Sequence, residues 1–366
     1  MIPIPIPIPV QPERNAPHVL SAAESLSNQA AMLHAAYCTD EALVLAQQAV
    51  DTERTPMTLN NIAVILETLG RFAEALPYER EAYYREPGTS RTARLYGEAL
   101  LRRGDLKIGW PIYARAYLRY DWLAPYVPEW QGEPLTDRRL LVFGPGGYGD
   151  NIYFLRWLLE LPATTDITYI APPMLAPLVR TLGIHVVENW NGNVSIDFGA
   201  FDYHIPIHAI PQHLGVTYES YKPHVPYLAV RPRPRFHLRR RVGFCWRGGE
   251  ALSPRYSRSL NWDQRQRVTS RLPATYIDLS DLTGPWLATA ELMSSLDHIV
   301  TVDTGVAHLA GALGIPTWVI LPGSSAWYYP LGYVTHPLYP TMQMFRNDGE
   351  GLDSAVDAVC DALGDP

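Results

Sequence analysis

The hydrophobic and polar positions change rhythm along this chain. From Asn15 to Tyr120 small and apolar residues recur at helical spacing, and the pattern repeats. Ala30, Ala42 and Ala49 return 33 residues later as Ala63, Ala75 and Ala82, and Ala63, Leu66, Gly70 and Ala82 return 34 residues on as Gly97, Leu100, Gly104 and Ala116. That period, with small residues where two helices must approach, predicts helix pairs of the tetratricopeptide type. In the clearest copy, Pro56 to Pro87, Ala63 and Ala75 permit close packing, Gly70 serves the turn and Pro87 stops the second helix. Three copies barely bury their own faces, so the module is expected to lean on the domain that follows; a plain helical bundle is the alternative.

Residues 121–138 are rich in aromatics and proline (Trp122, Pro125, Tyr126, Pro128, Trp130, Pro134) and read as a connector. From Arg139 the texture becomes strand, loop, helix. Arg139 to Gly144, Ile167 to Ala171, Val186 to Val187 and Tyr203 to Ile205 are expected strands, with a helix over Asn151 to Leu161. After residues 231–241 the alternation restarts. Strands are expected at Val242 to Trp246, Tyr276 to Leu279, His298 to Asp303 and Thr317 to Leu321, and helices near Trp262 to Arg271, Thr289 to Leu296 and Thr304 to Leu313. Such alternation predicts parallel sheets covered by helices, here two doubly wound Rossmann-like lobes, 139–230 and 242–350, closed by an amphipathic helix within 351–366. Ligands of such folds bind at the carboxyl ends of the strands, so a cleft between the lobes is expected.

Composition adds limits. At 366 residues with 47% hydrophobic and 18% charged content, the chain suits several packed domains and holds no apolar run long enough to span a bilayer. Residues 1–14 open with MIPIPIPIPV, whose alternating prolines forbid helix; the segment reads as an extended tail rather than a secretory signal, which makes the cytoplasm the expected compartment. Three scattered cysteines, Cys38, Cys245 and Cys360, form no C-x-x-C pair, against a disulfide framework or a cysteine zinc site. A net charge of -7 argues against a protein-wide nucleic-acid surface, yet Arg231 to Arg241 carries six arginines and is either a solvated linker or a phosphate-binding rim.

Three segments carry candidate chemistry. Gly144 to Asp150 reads GPGGYGD, and Gly144, Gly146 and Gly149 satisfy G-x-G-x-x-G with Gly147 between them. A dinucleotide site would also want an acidic residue about 20 positions on, where this chain has Ala171, Pro172 and Pro173. Asp150, at the start of the next helix, is either an N-cap or a general base aimed into the cleft. Asp303 to Gly314, DTGVAHLAGALG, follows a strand directly; Thr304 and Gly305 begin a helix whose backbone N–H groups suit a phosphate, His308 stands one turn in, and Asp303 either assists or holds the loop. In WRGGEALSPRYSRS, Arg247, Arg255 and Arg258 suit a diphosphate, because guanidinium forks bind phosphate oxygens bidentately. No D-x-D triplet occurs, and Pro206 and Pro211 keep His204, His208 and His213 off a shared helix, so neither a metal nor another cofactor is expected.

GPGGYGDNIYFLRW, FDYHIPIHAIPQHLG, VGFCWRGG followed by RYSRSL, HIVTVDTGVAHLAGALGIPTWVILP and YPTMQMFRN, in this order between Leu140 and Asn347, resemble the bacterial heptosyltransferase-like glycosyltransferases of GT-B fold, in the variety fused to tetratricopeptide repeats. The resemblance implies an inverting, metal-independent transfer from a nucleotide-sugar donor held mainly by the second lobe, with the acceptor at the first. It gives Asp150 the part of the base, Arg247 that of the basic residue after the strand, and Asp303, Thr304, Gly305 and His308 the donor segment. The lysine and glutamate of lipopolysaccharide-type relatives have no assigned counterpart here, so the resemblance does not extend to heptose as donor.

The reading is a glycosyltransferase whose acceptor is open between a saccharide, a protein and modified nucleic acid, with the repeats a candidate docking unit for a protein partner. The alternatives are a repeat-based interaction protein with an inactive nucleotide-binding lobe, a transferase acting on modified bases in nucleic acid, and a nucleotide-sugar epimerase.

Overall fold

The computed structural model describes residues 20–117, 126–144, 147–189, 196–233, 241–249, 258–273, 275–347 and 351–364. The Ile/Pro tail, most of the connector's first half, Gly146, Arg255 and the arginine run from 234 to 240 lie outside the described residues.

A helical region comes first: α1 (Ala22–Ala35), α2 (Thr39–Thr52), α3 (Pro56–Thr68), α4 (Phe72–Arg85), α5 (Ser90–Arg102) and α6 (Leu106–Arg115). Local sequence sets these bounds. Ser21 and Glu24 form a capping box at α1, Thr55 and Thr58 another at α3 with Pro56 in its first turn, and α4 stops just before Pro87. The turns inside the second and third pairs place Gly70 at φ +72° and Gly104 at φ +85°, backbone that glycine adopts without Cβ strain. Tyr37 takes the same left-handed turn in the first pair, φ 72°. Side chains join successive pairs at the repeat spacing: Asn61 Nδ2 donates to Ser27 Oγ at 2.8 Å, and Arg102 pairs with Glu67.

The α/β part holds two parallel sheets. The first is β1 (Arg139–Phe143), β2 (Asp166–Ala171), β3 (His185–Glu188) and β4 (Tyr203–Pro206) in the order β3-β2-β1-β4, with Val142 opposite both Tyr169 and Ile205. Its helices are α7 (Tyr148–Leu155), which tightens into a 3₁₀ turn at Arg156–Glu160, α8 (Ala176–Arg180) and α9 (Ile210–Leu214). The second sheet is β5 (Val242–Cys245), β6 (Ile277–Asp278), β7 (His298–Val302), β8 (Thr317–Leu321) and β9 (Met342–Arg346) in the order β6-β5-β7-β8-β9. Its helices are α10 (Trp262–Thr269), α11 (Trp286–Met293), α12 (Gly305–Ala312) and α13 (Asp353–Leu363). Strands β1, β2, β5, β7 and β8 are almost wholly buried, as near-continuous apolar runs in a sheet covered on both faces require.

The largest apolar cluster joins α6 to both sheets, while α1 to α4 pack around a cluster of their own and α10 and α13 close another on the second sheet. Trp110 and Tyr113 of α6 are buried beside Phe154 and Trp327, and Trp110 meets Phe154, Trp157 and Trp327 edge-on at centroid distances of 6.2, 6.2 and 5.6 Å. The last helix pair therefore shares its apolar face with the α/β part, and burial of such rings is among the larger single contributions to packing. Arg156 pins the two sheets together. Fully enclosed, it donates from Nη1 to the Leu338 carbonyl at 2.8 Å and lies 4.1 Å from the Tyr339 ring centroid. Tyr227 adds a bond from its hydroxyl to the Ile152 carbonyl at 2.7 Å and one from its N–H to the Ala312 carbonyl.

Candidate functional site

Two helix starts meet where the sheets face each other. Gly147 caps α7 with extended backbone (ψ 139°), which starts the helix at Tyr148, three residues earlier than the sequence suggests. Asp150 thus falls in the first turn rather than at the cap. At Gly149 an added Cβ would stand 3.1 Å from His308 Cδ2 and 3.3 Å from Gly305 Cα, so the absence of a side chain lets α7 rest on the start of α12. Asp150 Oδ1 accepts a 2.6 Å hydrogen bond from the hydroxyl of Tyr328, in the loop after β8, and Oδ2 folds back over Gly147, where a Cβ would lie 2.5 Å away.

Beside this meeting point opens a cleft of about 650 Å³ at the carboxyl ends of β5, β6 and β7. Arg247, Gly248 and Gly249 line it from the loop after β5, Thr304 and Gly305 from the turn into α12, and Tyr148 and Met174 from the first sheet's side. The Thr304 side chain caps its own helix, accepting from the Val306 N–H at 3.2 Å, and the start of α12 fronts the cleft with its partial positive charge. Arg247 is exposed there, with Nη1 3.5 Å from Asp281 Oδ1. Gly305 must be glycine, because a Cβ would sit 2.6 Å from Cη2 of Trp286, another wall of the cleft.

The remaining sequence candidates lie elsewhere. Asp303 is 3% exposed and pairs with Arg258 at 3.6 Å; burial pushes its carboxyl up, while the Arg258 guanidinium pulls it down. Arg258 does not line the cleft among the described residues, although it lies against the cleft's glycine loop, a Cβ at Gly249 coming 3.3 Å from its Nη2. His308 does not line the cleft. It is packed among Tyr153, Tyr328 and Tyr329, and burial lowers it to about 3, so it brings no positive charge to a phosphate. Asp150 itself is not among the cleft-lining residues; it is close enough to Tyr113, Tyr117 and Asp303 to influence them electrostatically.

The three histidines serve separate partners. His204 Nδ1 meets the Val127 carbonyl at 3.0 Å, His208 stacks on Tyr117 at 3.9 Å, and His213 packs on Trp130. Among the described residues no group of three His, Cys, Asp or Glu is placed to hold a metal ion. The described ends of the arginine run are tied to the chain: Arg233 Nη2 donates to the Ala288 carbonyl and Arg241 Nη1 to Ser295 Oγ. Sequence reasoning missed Tyr328, Trp286 and Tyr148. The only signal for Tyr328 is the aromatic run Trp327 to Tyr329, which reads equally as core.

No family model matches the chain. Protein FlbA of Caulobacter vibrioides is 22% identical over 364 residues, covering 81% of this chain and 59% of that protein, so the chain spans about three fifths of the curated relative it matches. Among solved structures, ADP-heptose lipopolysaccharide heptosyltransferase II of E. coli is 17% identical over 62% of this chain and 98% of its own, with a TM-score of 0.37. A glycosyl transferase family 9 protein of Veillonella parvula is 13% identical over 58% and 87%, with a TM-score of 0.39. An O-GlcNAc transferase of Thermobaculum terrenum is 12% identical over 95% and 91%, with a TM-score of 0.26. Among the described residues no helix is long and apolar enough to cross a membrane.

Proposed function

We propose that the chain is a glycosyltransferase that moves a sugar from a nucleoside diphosphate sugar to an acceptor hydroxyl, with inversion and without a metal ion. The observation that carries this reading is the contact of the two helix starts at Gly149 and Gly305, which sets a carboxylate, Asp150, beside a cleft built for an anion from a helix N-terminus and Arg247. The donor's diphosphate occupies the 650 Å³ cleft, its charge met by Arg247 and the start of α12.

Asp150 acts as general base. Its Oδ1 is held by Tyr328, so Oδ2 takes the acceptor proton as the acceptor oxygen bonds the anomeric carbon from the face opposite the breaking C–O bond. The electron pair leaves with the nucleoside diphosphate, and the charge that builds on it is stabilised by fixed donors already in place.

A thermal-shift screen with ADP, GDP, UDP, CDP and their sugar conjugates tests the donor half, because a ligand that binds the folded state raises its melting temperature. One base is expected to stand out. A flat response across the panel overturns the reading. With a responding donor, turnover in EDTA and the anomeric configuration of the product test metal independence and inversion.

A further inference from the structure

A groove of about 700 Å³ lies between α2 and α4, and neither the packing nor the chemistry above gives it a role. Leu43 and Val44 form one wall, Pro77 and Tyr78 the other, and Ile62 and Leu66 of α3 the floor. The floor is buried, while Val44 is 58% exposed at the rim. The arginines at its two ends are paired within the helical region, Arg54 with Glu81 and Arg71 with Glu74. Gln47 is engaged as well, donating to Asp51 and accepting from the Tyr78 hydroxyl. Among the described residues the groove thus presents an apolar trough with its charges already balanced, which suits an uncharged, apolar segment.

The chain itself carries such a segment. Residues 1–19 precede Leu20, the first described residue, and they begin MIPIPIPIPV, with no charged side chain and with Ile and Pro in alternation. Covering Ile2, Ile4, Ile6 and Ile8 is favourable in proportion to the apolar area taken from water. Proline at every second position removes every second N–H, so the segment can neither add to a sheet edge nor continue a helix. The recognition left to it is that of proline-rich chains, laid extended along an aromatic and apolar groove with its carbonyls free to accept. Tyr78 supplies the ring, Pro77 and Leu43 the apolar wall, and the side-chain amide of Gln48, which also lines the groove, is a donor type for the carbonyls.

We propose that this groove is the docking site of the chain's own Ile/Pro segment, residues 2–9, bound within the same molecule. Reach permits it. The short turn Ala36–Cys38 makes α1 and α2 antiparallel neighbours, so the start of α1 stands beside the end of α2 at Thr52, next to Arg54 at one end of the groove. From there to Leu43 is about 14 Å along α2, and one helix spacing adds about 10 Å. The stretch Gln11 to Val19 spans up to about 30 Å when extended, which covers both. A tether of that length holds the segment at a millimolar effective concentration, which favours it over a free peptide of equal affinity. The docking needs neither nucleotide nor sugar, and a protein partner that uses this groove has to displace the segment.

The test is photo-crosslinking on the full chain with Val44→p-benzoylphenylalanine, and with Ile108→p-benzoylphenylalanine, exposed on α6, as the control. Val44 is expected to crosslink to residues 1–10 in the monomer and Ile108 is not. A crosslink from Val44 to a second copy gives the groove to that copy and overturns the proposal, as does a crosslink to any other segment, none at all, or equal capture of residues 1–10 from Ile108. The second measurement is fluorescence anisotropy with a labelled peptide of residues 1–14. It is expected to bind a chain lacking residues 1–10 at least tenfold more tightly than the full chain, whose groove is taken. Replacing Ile2, Ile4, Ile6 and Ile8 of the peptide by serine, a change that leaves the folded protein untouched, is expected to weaken binding at least tenfold. Equal binding to both chains, binding indifferent to the serine replacements, or no binding to the shortened chain overturns the proposal. The nucleotide screen is read independently, so failure of the transferase reading leaves this result standing.

Discussion

The hydroxyl of Tyr328 donates to Oδ1 of Asp150 at 2.6 Å, joining a residue of the second sheet's β8 loop to the first turn of α7 across 178 residues of sequence. If Asp150 is the base, this bond fixes which oxygen is left to take a proton. Asp150→Asn is expected to keep nucleotide binding and lower turnover about 10²–10⁴-fold. Tyr328→Phe, which leaves the carboxylate in place but unheld, is expected to lower kcat about tenfold with the donor KM unchanged, as loss of orientation does. Steady-state kinetics on the responding donor measures both, and full activity in Asp150→Asn rules out the assigned base.

Arg247 is the described cationic side chain that fronts the cleft without burial. Its removal as Arg247→Ala should weaken nucleoside diphosphate binding by about ten- to a hundredfold, the worth of hydrogen bonds to a charged group. Calorimetric titration reads the change. An unaltered affinity would place the diphosphate elsewhere.

Gly97 of α5 lies against α6 so closely that a Cβ would stand 2.6 Å from Tyr113 Cα. Gly97→Ala should therefore push the third helix pair apart and cost about 1–3 kcal/mol in urea unfolding, as overpacking does. Because α6 shares its core with the α/β part, the loss should appear in one cooperative transition. A separate early transition for the helices would contradict the shared core.

His208 and His308 are both lowered to about 3 by burial. Each is neutral when folded and takes a proton near 6.5 when unfolded, so the stability they contribute is present above pH 6.5 and lost as the pH falls towards 3. At pH 5 the loss is about 2 kcal/mol for each ring. His208→Phe keeps an aromatic ring against Tyr117 and should remove about half of that acid sensitivity, read as the difference between unfolding curves at pH 7 and pH 5.

Glu79 behaves in the opposite sense. Burial first, and the neighbouring Glu67 second, raise its carboxyl to about 9. Its stabilising, protonated form is fully present below the unfolded value near 4.5 and is lost as the pH rises towards 9. Glu79→Gln should melt higher than the natural protein at pH 8, by the equivalent of ~2 kcal/mol, with the two curves converging towards pH 4.5. Parallel melting curves across that range would mean that Glu79 is ionised in the fold.

The sequence by itself determined the local pieces. The 33- and 34-residue spacing marked the helix pairs, since small residues must recur wherever two helices touch, and β8 at Thr317–Leu321 spans the residues its apolar run marks out. Where bounds moved, a local contact moved them. β5 ends at Cys245 because the Trp246 N–H turns to Ser280 Oγ, and α11 begins at Trp286 because Pro285 holds the extended backbone of a cap. β9 went unread, since Met342–Arg346 alternates too briefly to stand out and becomes a strand through its pairing with β8.

Only the tertiary structure decided which of the candidate groups meet. Glycine loops and isolated acids are common in any chain, and their spacing says nothing about what lies opposite. The packing of α7 on α12 set Asp150 under Tyr328, shut His308 into an aromatic core and turned Arg258 and Asp303 towards the helical region. Residues far apart in the chain made these choices, because burial and charge pairing depend on distance in space, which sequence patterns with periods of 2, 3.6 or 34 residues do not encode.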